Sequence, residues 1–163
     1  MALKIGDQAP DFELPAVVGD QQSVVKMSDF RGKRNLVITF HPMDWTPVCA
    51  HQVPELDSRR KEFQALDAEV IDVSVDSLPS HKAWRKNEVG EVQIPLGSDF
   101  YPHGAVSKAF GVLREGPPLP GISERAAFIV DKSGKIAFAK VYPLDVAPKV
   151  QELLDALQKL NGA

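Results

Sequence analysis

Short apolar runs alternate with helix-spaced stretches along most of the chain. LVITF at residues 36–40 is short and β-branched and follows a polar turn at residues 31–35, which predicts a buried strand. Residues 47–66 predict a helix carrying Val53, Leu56, Phe63 and Leu66 roughly on one face, with a kink at Pro54. EVIDVSVDS predicts the next strand through Val70, Ile71, Val73 and Val75. LPSHKAWRKNEVG reads as a short helix opened near Pro79 and closed by Gly90. IPLGSD is a brief strand, HGAVSKAFGVL a short helix ending at Gly111, and GPPLPG a loop. RAAFIVDKSGKIAFAKVYP predicts two strands joined by Asp131-Lys132-Ser133-Gly134. The C-terminal stretch places Val150, Leu153, Leu154, Leu157 and Leu160 at helical spacing.

Strands that alternate with helices predict an α/β fold: a mixed sheet, partly parallel, flanked by helices. A closing hairpin adds an antiparallel pair, and the N-terminal extension reads as a further β-hairpin. The length of 163 residues suits one domain over residues 1–163. A net charge of −3 provides no basic field, so nucleic acid is not an expected partner. No run approaches the roughly 18 apolar residues of a membrane span. The N-terminus shows no secretory pattern, so a cytoplasmic location is the expectation.

The chain holds one cysteine, Cys49, within HPMDWTPVCAHQ. A lone cysteine cannot form an internal disulfide or a multi-cysteine metal site. It is ordinarily a small buried hydrophobe. Its setting here argues otherwise. The loop lies beyond the carboxyl end of the strand at residues 36–40, where open α/β sheets bind ligands. Thr46-Pro47 reads as N-cap and first helical position, which puts Cys49 near the third, inside the first turn. Unpaired N–H groups and the helix dipole favour an anion at such a position, and thiols there are acidified and reactive. Thr46, three residues earlier, faces the same way on a helical turn. Pro42 and Pro47 stiffen the loop.

PMDWTPVC at residues 42–49 resembles the peroxiredoxin pattern P-x-x-x-T-x-x-C, and the downstream segments VSVDSLPSHKAWRKN, SDFYPHGAVSKAFGV and GISERAAFIVDKSGKIAFAKVYP resemble the rest of that family in order. The resemblance implies a thioredoxin-like fold with an N-terminal hairpin and thiol-dependent reduction of hydroperoxides. It implies that Cys49 is the peroxide-reducing thiol. Thr46 would contact thiolate and peroxide, Pro42 would shield the sulfur, and Arg125 would stabilise both. Val48, Gln52, Trp45 and His41 are the neighbouring candidates for substrate contact. No cofactor is implied. The partners implied are a hydroperoxide, an external thiol reductant (glutathione, or a glutaredoxin- or thioredoxin-like protein) and a second copy of the chain in a homodimer. Gln52 stands where many members carry Glu, so it brings a hydrogen bond but no charge. Ser80 stands near where some relatives carry a resolving cysteine, and it cannot perform that step.

The four histidines raise a metal reading. Cys49 and His51 do not share a helix face, and His41 lacks a third ligand at characteristic spacing, so no metal site is expected. His41 reads as a packed or rim residue, His51 and His81 as surface residues, and His103 as the start of a helix. Two other functions fit the same thiol: a cysteine hydrolase with His41 as base, and a redox sensor that turns over slowly. Peptide or ester hydrolysis would reveal the first, and failure to turn over with thiol reductants the second.

Overall fold

The computed structural model describes residues 1–162. β3 (Asn35–Phe40) is buried at all six positions because helices and loops cover both faces of the sheet around it. It pairs in parallel with β4 (Ala68–Ser74), which pairs in parallel with β5 (Leu96–Ser98). On its other side β3 pairs antiparallel with β6 (Arg125–Val130), which forms a hairpin with β7 (Ile136–Tyr142). β1 (Glu13–Val18) and β2 (Gln21–Lys26) make the N-terminal hairpin, and β1 joins the sheet antiparallel to β5. The order across the seven strands is β2-β1-β5-β4-β3-β6-β7.

Side chains alternate across a strand, so each face receives its own half of the sequence. Leu36, Ile38, Phe40, Ile71, Val73 and Phe128 pack with Phe110 and Met27 on one face. Phe110 lies just past α4 (Ala105–Ala109). Val37, Val70, Ala127 and Ile129 pack on the other face, against α1 (Pro47–Ser58), α3 (Leu78–Trp84) and α5 (Val150–Gly162). α5 buries Val150, Leu153, Leu154 and Leu157, the stripe its spacing predicts.

The helix expected over residues 47–66 is two helices. α1 ends at Ser58 and α2 runs Arg60–Ala65, with the break at Arg59 (φ −111°, ψ 18°) and no interruption of α1 at Pro54. Pro54 is the eighth residue of α1 and is tolerated there. The turn at Arg59 is held from outside, because its guanidinium binds both carboxylate oxygens of Glu62 and reaches Gln151 of α5. α3 likewise runs directly into a single π-turn at Arg85–Val89 before Gly90 ends it with φ +95°.

Candidate active site

The loop between β3 and α1 carries the chain from the sheet to the thiol. Thr46 is the N-cap with extended backbone, Pro47 the first helical residue and Cys49 the third. The Thr46 carbonyl receives the Ala50 amide at 3.0 Å. Its hydroxyl does not cap the helix. It donates to the Met43 carbonyl at 2.8 Å, which fixes the hydroxyl oxygen at the mouth of the pocket. Cys49 is free and fully buried, 0% exposed.

Arg125, the first residue of β6, reaches across to the thiol. Its guanidinium is 2% exposed, and every arm is used. Nε donates to the Leu144 carbonyl at 2.9 Å, Nη1 to Gln52 Oε1 at 2.6 Å and Nη2 to Cys49 Sγ at 3.2 Å. A planar fork satisfied on three sides cannot swing away from the sulfur, and it places a permanent positive charge beside it. A cavity of about 220 Å³ opens over this group. Pro42, Thr46, Val48 and Arg125 line it together with Leu119 and Ile122.

The other three residues proposed for substrate contact lie elsewhere. Trp45 adopts φ +71°, which turns its side chain to solvent, and it is 50% exposed rather than part of the lining. Gln52 is buried behind the thiol and touches Arg125, not the cavity. His41 is 0% exposed, is not part of the lining, and its ring contacts Asp72, Asp44 and Trp84 in the layer beneath α1 and α3.

That layer was not expected. His41 Nδ1 pairs with Asp72, and its Nε2 lies 2.7 Å from Asp44 Oδ1. The other Asp44 oxygen lies 2.7 Å from His81 Nδ1 and accepts the Ser80 hydroxyl at 3.0 Å. His81 Nε2 meets the Gly97 carbonyl at 3.0 Å. Asp76 accepts the Asp44 amide at 2.9 Å and the Ser74 hydroxyl at 2.5 Å. Asp72 also receives the Thr39 hydroxyl and, at 3.0 Å, the Gln52 amide. Burial alone would push His41 down, but Asp72 and Asp44 overcome that and hold it well above its ordinary value. Burial would raise Asp44, and the hydrogen bonds from His41 and His81 hold it below the usual carboxylate range.

His81 is therefore not a surface residue: it is 0% exposed on the inner face of α3. His51 is exposed as expected. His103 precedes the Gly104 cap of α4 and meets the Gly121 carbonyl at 2.6 Å. The signal for the polar layer was present in the sequence. In Ile71-Asp72-Val73-Ser74-Val75-Asp76 the apolar residues alternate strictly with Asp72, Ser74 and Asp76, which puts all three on one side of β4 and its extension. The same parity along β3 carries Thr39 and His41 to that side.

The chain matches the AhpC/TSA family over residues 5–139. It belongs to that family, the peroxiredoxins. It is 38% identical over 162 residues to the chloroplastic 2-Cys peroxiredoxin BAS1 of Hordeum vulgare, covering 96% of this chain and 75% of that one. It is 37% identical over 139 residues to alkyl hydroperoxide reductase E of Mycobacterium bovis, covering 85% and 86%. Its fold superposes on the reduced 2-Cys peroxiredoxin of Plasmodium vivax with a TM-score of 0.91 at 29% identity, covering 98% and 83% of the two chains. For Mycobacterium tuberculosis AhpC the TM-score is 0.87 at 30% identity, covering 98% and 94%. As a peroxiredoxin the protein is a thiol-dependent peroxidase, and the single cysteine of this sequence fits the one-cysteine type. Among the described residues no helix is long and apolar enough to cross a membrane.

Proposed function

We propose that Cys49 is the thiol that reduces the peroxide, with Arg125, Thr46 and Pro42 as its working partners. The observation that carries the assignment is the 3.2 Å contact to Cys49 Sγ from Nη2 of Arg125, a residue that lines the cavity. Cys49 thiolate attacks the terminal oxygen of ROOH in line with the O–O bond. The S–O bond forms as the O–O bond breaks, and the departing RO⁻ takes a proton from water to give ROH. The products are Cys49 sulfenic acid and water or alcohol. Arg125 and the first-turn N–H groups of α1 stabilise charge as it spreads over the two oxygens. The Thr46 oxygen, fixed by its bond to Met43, accepts from the peroxide O–H. Pro42 and Val48 cover the sulfur and limit water.

A second thiol must come from outside the chain, because Ser80 cannot act as a resolving residue and Cys49 is the sole cysteine. The external thiol attacks the sulfenic acid, a mixed disulfide forms with loss of water, and another thiol releases Cys49. Glutathione, a glutaredoxin-like or a thioredoxin-like protein fills this role. The apolar walls supplied by Val48, Leu119 and Ile122 suit the carbon chain of an organic hydroperoxide. Met43 and Leu119, both exposed at the cavity mouth, support a homodimer formed near the active site, which sedimentation of the reduced protein tests directly.

The decisive experiment is stopped-flow tryptophan fluorescence of the reduced protein mixed with hydrogen peroxide and with an organic hydroperoxide. Mass spectrometry of Cys49 follows the same reaction. A fast second-order phase absent in Cys49→Ser and much slower in Arg125→Ala supports the assignment. Oxidation no faster than that of free cysteine overturns it. Sustained turnover with a thiol reductant separates an enzyme from a sensor.

A further inference from the structure

Four potential metal ligands converge behind the thiol. His41, Asp44, Asp76 and His81 each offer one atom, and all four atoms lie within 4.8 Å of one another. His41, Asp44 and His81 are buried, and Asp76 is half-buried. We propose that these four residues form a closed binding site for a divalent transition metal of the zinc class.

The outer partners of the two histidines support this directly. A ligating histidine binds metal through one ring nitrogen and donates the N–H of the other to a carboxylate or a backbone carbonyl. His41 turns Nδ1 to the Asp72 carboxylate and Nε2 inward. His81 turns Nε2 to the Gly97 carbonyl and Nδ1 inward. Gly97 O is an acceptor only, so His81 Nε2 carries the proton there. The Nδ1 of the same ring faces a carboxylate 2.7 Å away. Two acceptors meeting head-on need something positive between them, either a proton or a cation. The same holds for His41, whose two nitrogens both face carboxylates. Two protons in the middle of this cluster, or one divalent ion, satisfy it with the same total charge.

The donor set selects the ion. Two imidazoles and two carboxylates suit zinc and its neighbours in the transition series, whereas calcium and magnesium prefer oxygen alone. Bonds of about 2.0–2.2 Å in a tetrahedron separate neighbouring ligands by about 3.3 Å. The 2.7 Å contact at the Asp44 oxygen that ligates therefore opens by roughly half an ångström on binding. Asp44 and Asp76 sit on the loops after β3 and β4, outside regular structure, and can take up that movement. The Asp76 side chain is 13% exposed and provides the way in. The Trp84 ring packs on His41 with centroids 5.0 Å apart and closes the inner side.

The test uses the full chain, stripped with chelator and reduced, and titrated with Zn²⁺ by calorimetry and with Co²⁺ by visible absorbance. It is run in the native protein and in Cys49→Ser, so that binding by the thiol is recognised. The expected result is one ion per chain in both, with tetrahedral Co²⁺ bands and no thiolate-to-cobalt charge-transfer band. Asp76→Asn and His81→Gln are expected to weaken binding at least 100-fold. Asp72→Asn, which removes only an outer partner, is expected to weaken it 10- to 100-fold. Asp76→Asn changes a half-buried loop residue, so its fold, checked by circular dichroism, is expected to persist. The proposal is overturned if no stoichiometric binding occurs, if binding disappears in Cys49→Ser, or if a folded Asp76→Asn protein binds as the native one does.

Discussion

Gln52 and Asp72 share a buried hydrogen bond of 3.0 Å from amide nitrogen to carboxylate oxygen, and the amide oxygen of the same Gln52 receives Arg125 at 2.6 Å. The amide thus links the guanidinium at the thiol to a carboxylate one layer deeper. Gln52 carries no charge itself, yet the arginine is not without a counter-charge. Asp72 supplies it through the polarised amide, and Thr39 and His41 hold Asp72 in place.

This geometry makes the replacement of Gln52 by Glu harmful. The new carboxylate would stand about 3 Å from Asp72, and two carboxylates so close cannot both ionise. Gln52→Glu is expected to lose about 1–3 kcal/mol of stability and to slow the reaction with peroxide at least tenfold. Adding Asp72→Asn to that variant is expected to recover part of both, as a double-mutant cycle in urea denaturation and stopped-flow would show. A single variant as stable and as fast as the native protein would break the proposed link.

Arg125→Lys keeps the charge and loses the fork. A single ammonium cannot serve the Leu144 carbonyl, Gln52 and Cys49 together, so at least one buried acceptor is left alone. The second-order rate with peroxide is expected to fall about 10²–10³-fold. Alkylation of Cys49 by iodoacetamide at neutral pH, which reads thiolate reactivity without peroxide, is expected to slow as well. Equal rates in both assays would remove Arg125 from the chemistry.

Asp99 fixes α4 from the preceding loop. Its carboxylate accepts the amides of Val106 and Ser107 and the Ser107 hydroxyl, and it is 2% exposed. Asp99→Ala strands these donors, and a loss of about 2–4 kcal/mol is expected in urea denaturation. Phe110 packs just beyond that helix between Phe40 and Phe128, so near-ultraviolet circular dichroism should change with it.

Asp131 organises the β6–β7 turn by accepting the amides of Ser133 and Lys135 and the Ser133 hydroxyl. Partial burial alone would raise its pKa, but these hydrogen bonds hold it below the ordinary value. A depressed carboxylate stabilises the fold above its unfolded pKa, near 3.9, and that contribution disappears as pH falls through the lower folded value. Asp131→Ala is expected to cost about 1 kcal/mol at neutral pH. The difference from the native protein should shrink below about pH 4. A difference that stays constant through that range would mean that ionised Asp131 does not hold the turn.

The order of strands and helices was legible because each element carries one clear period: β-branched runs for β3 and β6, a leucine stripe for α5. The thiol loop was legible because Thr46, Pro47 and Cys49 act through local backbone rules. What escaped the sequence depends on contacts between distant segments. The break at Arg59 follows from Glu62 and from Gln151 of α5, and the second lies far away in the chain. Trp45 left the cavity because of one positive φ. His41 is packed, as its reading allowed, but His81 is not on the surface, and the partners of both escaped because spacing along the chain was the only guide to ligands, whereas those partners come from the loop after β3, from β4 and from β5. The alternation in Ile71–Asp76 does mark the polar side of β4.

Parity along β3 and β4 also sets a rule about chain length. Thr39, His41, Asp72, Ser74 and Asp76 meet because an odd or even count from the strand decides which way each one faces. Exchanging one of them removes only that residue's own bonds. Adding or deleting one residue in β3 would turn Thr39 and His41 away from Asp72, Ser74 and Asp76, toward the layer of Phe40, Phe110 and Phe128, and a change in β4 would do the same to its three polar residues. In these two strands spacing is therefore less tolerant of change than side-chain identity, and the protein should accept many point substitutions before it accepts one single-residue insertion.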